Sequence, residues 1–123
     1  MGLIHKPVTL IGTLGTKTFT ALVDTTASWS YIRKEEAMSI APPFKVAEPI
    51  TVRIGKGATQ VDEVMISDIE LDGYRMYGTF IIVPELTEEL IIGADFLQLW
   101  KIKLDPMTEE IIIDPSALQL QLI

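Results

Sequence analysis

The chain has 123 residues, a formal net charge of −7, no cysteine and one histidine, with 48% hydrophobic and 22% charged residues. That size and balance suit one globular domain, residues 1–123, able to bury a real core. The acidic charge argues against nucleic acid or an anionic membrane as partner, because phosphate binding needs clustered Lys and Arg, and the lack of cysteine excludes disulfides and thiolate metal sites.

Taken in order, the N-terminus carries His5, Lys6 and Pro7 and no apolar h-region, so no signal peptide is expected. The myristoylation pattern fails at Lys6. His5 reads as a solvated tail residue, which leaves no histidine for Ser-His-Asp machinery. No apolar run approaches membrane-spanning length. A soluble, cytoplasmic protein without metal or cofactor is expected.

Residues 7–14 are predicted as a first strand, 15–17 as its turn, and 18–23 as the return, with Phe19, Ala21 and Val23 on one face. The glycines around this turn are too closely spaced for a phosphate loop, and a hairpin accounts for them. The return strand delivers Asp24 into Thr25-Thr26-Ala27-Ser28. Burying a carboxylate is costly unless hydrogen bonds or a shared proton neutralise it, and short hydroxyls and backbone N–H groups are suitable donors. Asp followed by Thr and Ser is equally an ordinary strand-to-turn signal, in which Asp bonds its own backbone two residues on. On this stretch alone both readings stand.

Residues 33–38 favour a helix, which Pro42-Pro43 stops. Residues 49–54 and 60–71 are predicted strands joined by Gly55-Lys56-Gly57-Ala58, either a mobile ribbon or a plain surface hairpin. Asp68 to Gly73 opens like a calcium loop, but Thr79 holds its twelfth position and the flanks alternate with period 2. The acids there read as the solvated face of a strand, Asp72-Gly73 as a tight turn, and residues 74–83 as the partner strand. Leu90-Ile91-Ile92-Gly93 suggests a short strand buried on both faces, and residues 94–100 a short helix with Asp95 in its favourable first turn. Alone, this is a plain core strand and helix. Residues 101–104 and 110–113 are predicted as a closing hairpin. The tail, 118–123, alternates like one more strand with no partner in the chain.

Two of these stretches together resemble the retroviral-type, or retropepsin-like, aspartic protease family. Leu22-Val23-Asp24-Thr25-Thr26-Ala27 is similar to that family's apolar pair followed by Asp-Thr-Gly-Ala. Leu90 to Leu97 is similar to its second hallmark: an apolar pair, Gly, a variable residue, then Asp or Asn and apolar residues. The order of hairpin, Asp loop, Gly-tipped ribbon, apolar-Gly motif and helix also matches, over residues 7–104. The resemblance implies a mostly β, retropepsin-like acid-protease barrel with two short helices, dimer-forming. It implies an aspartic endopeptidase in which two aspartates share a proton. One such loop in so short a chain means that the second Asp24 comes from a second copy. Catalytic roles then fall on Asp24, on Thr25 through a bond across the two loops, and on Thr26. Ala27 and Ser28 contact substrate, Gly55, Lys56 and Gly57 form a flap tip, Ile91 lines the pocket, and the tail joins an intersubunit sheet. The implied partners are a second copy of the chain and a peptide or protein substrate.

Thr26 stands where that family carries Gly. It keeps the N–H that the family aims at the carboxylate, but its side chain is expected to enter space left for substrate. Its β-branch also resists the backbone freedom of Gly. The alternative expectation is therefore a catalytically weakened or inactive retropepsin-like homodimeric binding module.

Overall fold

Alternation along the first hairpin starts the barrel. In the computed structural model, which describes residues 3–119, β1 (Leu3–Ile11) and β2 (Thr16–Asp24) pair antiparallel from Leu3↔Asp24 to Ile11↔Thr16. Val8, Leu10, Phe19, Ala21 and Val23 are buried between them and the opposite wall. The turn runs from Gly12 to Gly15, three residues earlier than expected, closed by a bond from the Gly12 N–H to the Gly15 carbonyl at 2.9 Å. The reason is packing. A Cβ at Gly12 would lie 2.7 Å from the Ile40 carbonyl carbon, and the Leu14 N–H donates to that carbonyl oxygen at 2.9 Å instead of to a ladder. His5 does not lie in a loose tail: it sits in β1 opposite Leu22, its ring exposed and 3.3 Å from a Glu88 carboxylate oxygen.

Further strands are β3 (Tyr31–Arg33), β4 (Phe44–Ile54), β5 (Gly57–Leu71), β6 (Tyr74–Val83) and β7 (Leu90–Ile92). The sheet order is β1-β2-β7-β3-β6-β5-β4, and pairing of β1 with β5 closes six of these strands into a barrel. Strand β4 stays outside that closure. From Gly57 to Glu63, β5 pairs only with β4, so their upper halves form a two-stranded ribbon from Ile50↔Val61 to Ile54↔Gly57. Strand β4 begins at Phe44, earlier than expected. Pro49 falls where the register is irregular, between Lys45 and Ile50, so its missing N–H interrupts no regular ladder. On β5, Ile69 and Leu71 are buried while Asp68 and Glu70 face solvent. Asp72 and Gly73 (φ 50° and 82°) supply the two left-handed residues of a tight hairpin turn.

Two short helices close the ends. Helix α1 (Lys34–Ala37) is a single turn, shorter than expected, because the chain next buries Ile40 and Ala41. Its Glu36 accepts from Lys17 Nζ at 2.6 Å and lies 3.7 Å from Arg33 Nη1. The bond to Glu36 is the main reason that the Lys17 amine is raised above the ordinary lysine range. Helix α2 (Ala94–Leu99) plugs the barrel with Phe96 and Leu97. Trp100 follows it, donating from Nε1 to the Tyr77 carbonyl at 3.1 Å with its ring edge-on to Tyr77. A second, smaller apolar cluster of Val52, Val61, Ile81, Val83 and Leu86 lies beneath the ribbon.

The closing hairpin is present as β8 (Lys103–Asp105) and β9 (Glu110–Ile112). A 3₁₀ turn, Pro115–Leu118, follows, and Leu118 packs on the main core instead of beginning a strand. Residues 120–123 of the expected tail strand lie outside the described residues. Among the described residues no helix is long and apolar enough to cross a membrane.

Candidate active site

Strand β2 lies between β1 and β7 in the barrel wall, with Asp24 paired to Leu3 on one side and Val23 to Ile92 on the other. Asp24 is the last residue of that ladder and is half-buried. The chain then turns. The Thr26 N–H donates to Asp24 Oδ1 at 2.8 Å, the Thr26 hydroxyl donates to the same oxygen at 2.6 Å, and the Ala27 N–H donates to the Asp24 carbonyl at 3.2 Å. The strand-to-turn reading of this aspartate is thus realised. Thr26 needs no glycine-like backbone here, since among the described residues the non-glycines at positive φ are Asp72, Glu85, Lys101 and Glu109. Its hydroxyl folds back onto the carboxylate, while the residue still borders the cleft in front of the loop.

The second motif holds this loop from behind. The Gly93 N–H donates to Ser30 Oγ at 2.9 Å, and that buried hydroxyl donates to Asp95 Oδ1 at 2.8 Å. The Ala94 N–H donates to the Ala27 carbonyl at 2.7 Å and the Asp95 N–H to the Ser28 carbonyl at 3.2 Å. Gly93 has an ordinary extended backbone (φ −102°), so its requirement is purely one of space. A Cβ there would lie 2.6 Å from the Trp29 carbonyl carbon and 2.9 Å from the Ala27 oxygen. Asp95, which the sequence offers as a helix first-turn acid, is therefore also the anchor of Ser30.

In front of the loop is a cleft of about 510 Å³. Of the sequence-derived site residues it gathers Asp24, Thr26, Ala27, Ser28 and Ile91. The ribbon contributes Val52, Arg53 and Ile54, and the segment after β6 contributes Leu86, Thr87 and Glu88. Thr25 is not brought to this cleft; it borders a separate groove with Ala94, Leu97 and Gln98. Gly55, Lys56 and Gly57 form the ribbon tip, beyond the residues that line the cleft, with Gly55 in the left-handed region at φ 59°.

Sequence reasoning missed Ser30, Tyr31, Arg33 and the 86–88 wall. Arg33 donates from Nε to the Leu86 carbonyl at 2.7 Å and from Nη2 to the Thr87 carbonyl at 2.6 Å, fixing that wall to β3. No local pattern announces such a role at the start of a helix-favouring run. Ser30 carries a weak signal: a small polar residue between Trp29 and Tyr31, just before β3, is buried, where a hydroxyl needs partners. Burial, and then the nearby Asp95 charge, push the Tyr31 phenol above the ordinary tyrosine range, so this cleft residue keeps its proton at neutral pH.

A family model described as gag-polyprotein putative aspartyl protease matches residues 11–99. A search of curated proteins gives no match. Among solved structures, the chain is similar to the retroviral protease-like domain of Ddi1 from Leishmania major. The TM-score is 0.61 and the identity 17%, over 93% of this chain and 86% of that one. At that identity the likeness speaks for the fold, a retropepsin-like barrel.

Proposed function

The chain belongs to the family of gag-polyprotein aspartyl proteases, and from that premise we propose that it is an aspartic endopeptidase, acting as a homodimer with the cytoplasm as its setting. The observation that carries this reading is the placing of Asp24: a carboxylate on the floor of a cleft, beneath a ribbon that stands outside the barrel closure. Both loop donors fall on Oδ1, and Oδ2 receives neither of them.

Peptide hydrolysis by carboxylates needs a base and an acid together. One copy of the chain offers one such loop, so a second copy, related by a two-fold axis, supplies the other Asp24. One Asp24 takes a proton from water, whose oxygen attacks the peptide carbonyl carbon. The other, protonated, gives its proton to the carbonyl oxygen. Collapse of the tetrahedral intermediate breaks the C–N bond, and the leaving nitrogen takes the proton from the first Asp24. The second takes a hydroxyl proton from the intermediate, which leaves a carboxylic acid and restores the singly protonated dyad. Exposed apolar Leu3 and Trp29 beside the Asp24 loop, and the turning of Thr25 away from the cleft, support pairing at this end of the barrel. The ribbon tip at Gly55 to Gly57 is the proposed flap, and the apolar wall of Val52, Ile54, Leu86 and Ile91 suits apolar substrate side chains.

The test is cleavage of a peptide library by the protein and by Asp24→Asn, with sedimentation at micromolar concentration alongside. Cleavage by the dimer alone, lost in Asp24→Asn while the dimer persists, is expected. A strictly monomeric protein, or cleavage that survives Asp24→Asn, overturns the reading. Thr26 on the cleft wall favours a second reading, a homodimer that binds peptides without cutting them. Its signature is peptide binding by both proteins with cleavage by neither.

A further inference from the structure

We propose that Thr26 is a positioning residue for Asp24: its hydroxyl, together with its own N–H, locks the carboxylate in one orientation for catalysis. This rests on the protease reading above and concerns the one position at which the loop departs from Asp-Thr-Gly.

The carboxyl group of an aspartate turns readily about its last side-chain bond, because that torsion has only a broad, shallow preference. A single backbone donor on one oxygen leaves much of that freedom. Here two donors converge on Asp24 Oδ1, the Thr26 N–H at 2.8 Å and the Thr26 hydroxyl at 2.6 Å. The hydroxyl bond is short, as expected for O–H donating to a carboxylate oxygen. The donors come from different directions, one from the backbone and one from the side chain, so both are satisfied only over a narrow range of carboxylate rotation. The loop that carries them is itself held, through the Ala94 N–H bond to the Ala27 carbonyl at 2.7 Å and the buried Ser30 bridge between Gly93 and Asp95. Oδ2, which takes neither bond, is left as the oxygen for the reacting proton. The β-branch that stands in a glycine's place therefore supplies a second donor to the carboxylate. Its χ1, restricted by branching, keeps that donor aimed.

Two substitutions separate this from a role in loop shape or substrate fit. Thr26→Val keeps size and branching and deletes only the hydroxyl. Thr26→Ser keeps the hydroxyl and deletes the methyl. Hydrogen bonds to charged groups are strong enough that Thr26→Val should lower kcat by about ten- to a hundredfold, with KM within about twofold. Thr26→Ser should restore kcat to within about threefold of the parent. Crystal structures of the parent and Thr26→Val proteins give a readout independent of activity: one carboxylate orientation at Asp24 is expected in the parent, and a rotated or divided one in the variant. Equal losses in Val and Ser variants, or a change confined to KM, overturn the proposal. So does an unrotated Asp24 carboxylate in Thr26→Val, whatever its activity. If the parent protein cleaves no peptide, the protease reading falls, and the two crystal structures alone still decide whether Thr26 orients Asp24.

Discussion

Two aspartates near opposite ends of the chain head the same local turn, and one of them faces the cleft. At Asp24 the Thr26 N–H and hydroxyl reach Oδ1 at 2.8 and 2.6 Å, and the Ala27 N–H closes the turn onto the Asp24 carbonyl at 3.2 Å. At Asp114 the Ser116 N–H and hydroxyl reach Oδ1 at 3.0 and 2.8 Å, and the Ala117 N–H closes onto the Asp114 carbonyl at 2.9 Å. The difference lies in what each turn is built into. The Asp114 turn caps a surface 3₁₀ segment. The Asp24 turn ends a barrel strand, is docked from behind by Gly93, Ser30 and Asp95, and opens in front onto a walled cleft. The hydrogen-bond pattern of an aspartate turn is thus a folding device; the tertiary setting decides whether it carries chemistry.

The largest expected effect breaks the pair apart by activity. Asp24→Asn should lower kcat/KM for peptide cleavage by about 10²–10⁴-fold or more, since an amide cannot act as the base. Asp114→Asn should leave it unchanged. Equal effects on cleavage from the two substitutions would remove the distinction. Next comes the setting itself. Gly93→Ala puts a Cβ against the backbone of Trp29 and Ala27, where no flexible side-chain end can yield. Its relief requires prying β7 and α2 from the Asp24 loop, which should cost about 1–3 kcal/mol of stability in denaturant unfolding and lower cleavage as well. A neutral Gly93→Ala would mean that the loop is not held from behind.

How far the sequence reveals this follows from the same contrast. Short-range signals read well. The Asp72-Gly73 turn, the period-2 alternation of β5 and β6, the short apolar β7 and the helix after Gly93 are all where the pattern puts them, because each is dictated by neighbours along the chain. The first turn is misplaced, since Gly12 answers to Ile40, a contact distant in sequence. Arg33 and Ser30 are missed for the same reason: their partners, Leu86, Thr87, Gly93 and Asp95, are brought near only by barrel closure. Asp24 alone is ambiguous in sequence because its local turn does not differ from that of Asp114. Only the second motif, which supplies the cradle, singles it out.

The smallest expected effect tests the folding side of the comparison at Asp114, where no catalysis intrudes. The Asp114 carboxyl is held below the ordinary aspartate range, first by the Ser116 hydroxyl and then by the Ser116 N–H, with Lys101 and Lys103 adding smaller contributions. Ser116→Ala deletes the leading cause and keeps the backbone donor. A carboxyl-carbon NMR titration should therefore show Asp114 moving up toward its ordinary value, without reaching it. The sign for stability follows by linkage. A carboxyl lowered in the folded state contributes stability that is complete above the unfolded-state value and is lost as pH falls through the folded-state value. The parent should thus gain slightly more stability than Ser116→Ala as pH rises across that acid window, and the two curves should run parallel at neutral pH. The difference is small because the group is fully exposed to water. An Asp114 titration unmoved by Ser116→Ala would show that a side-chain hydroxyl two residues on does little for the carboxylate in this turn. That result would also weaken the case for the Thr26 hydroxyl, which makes the same contact.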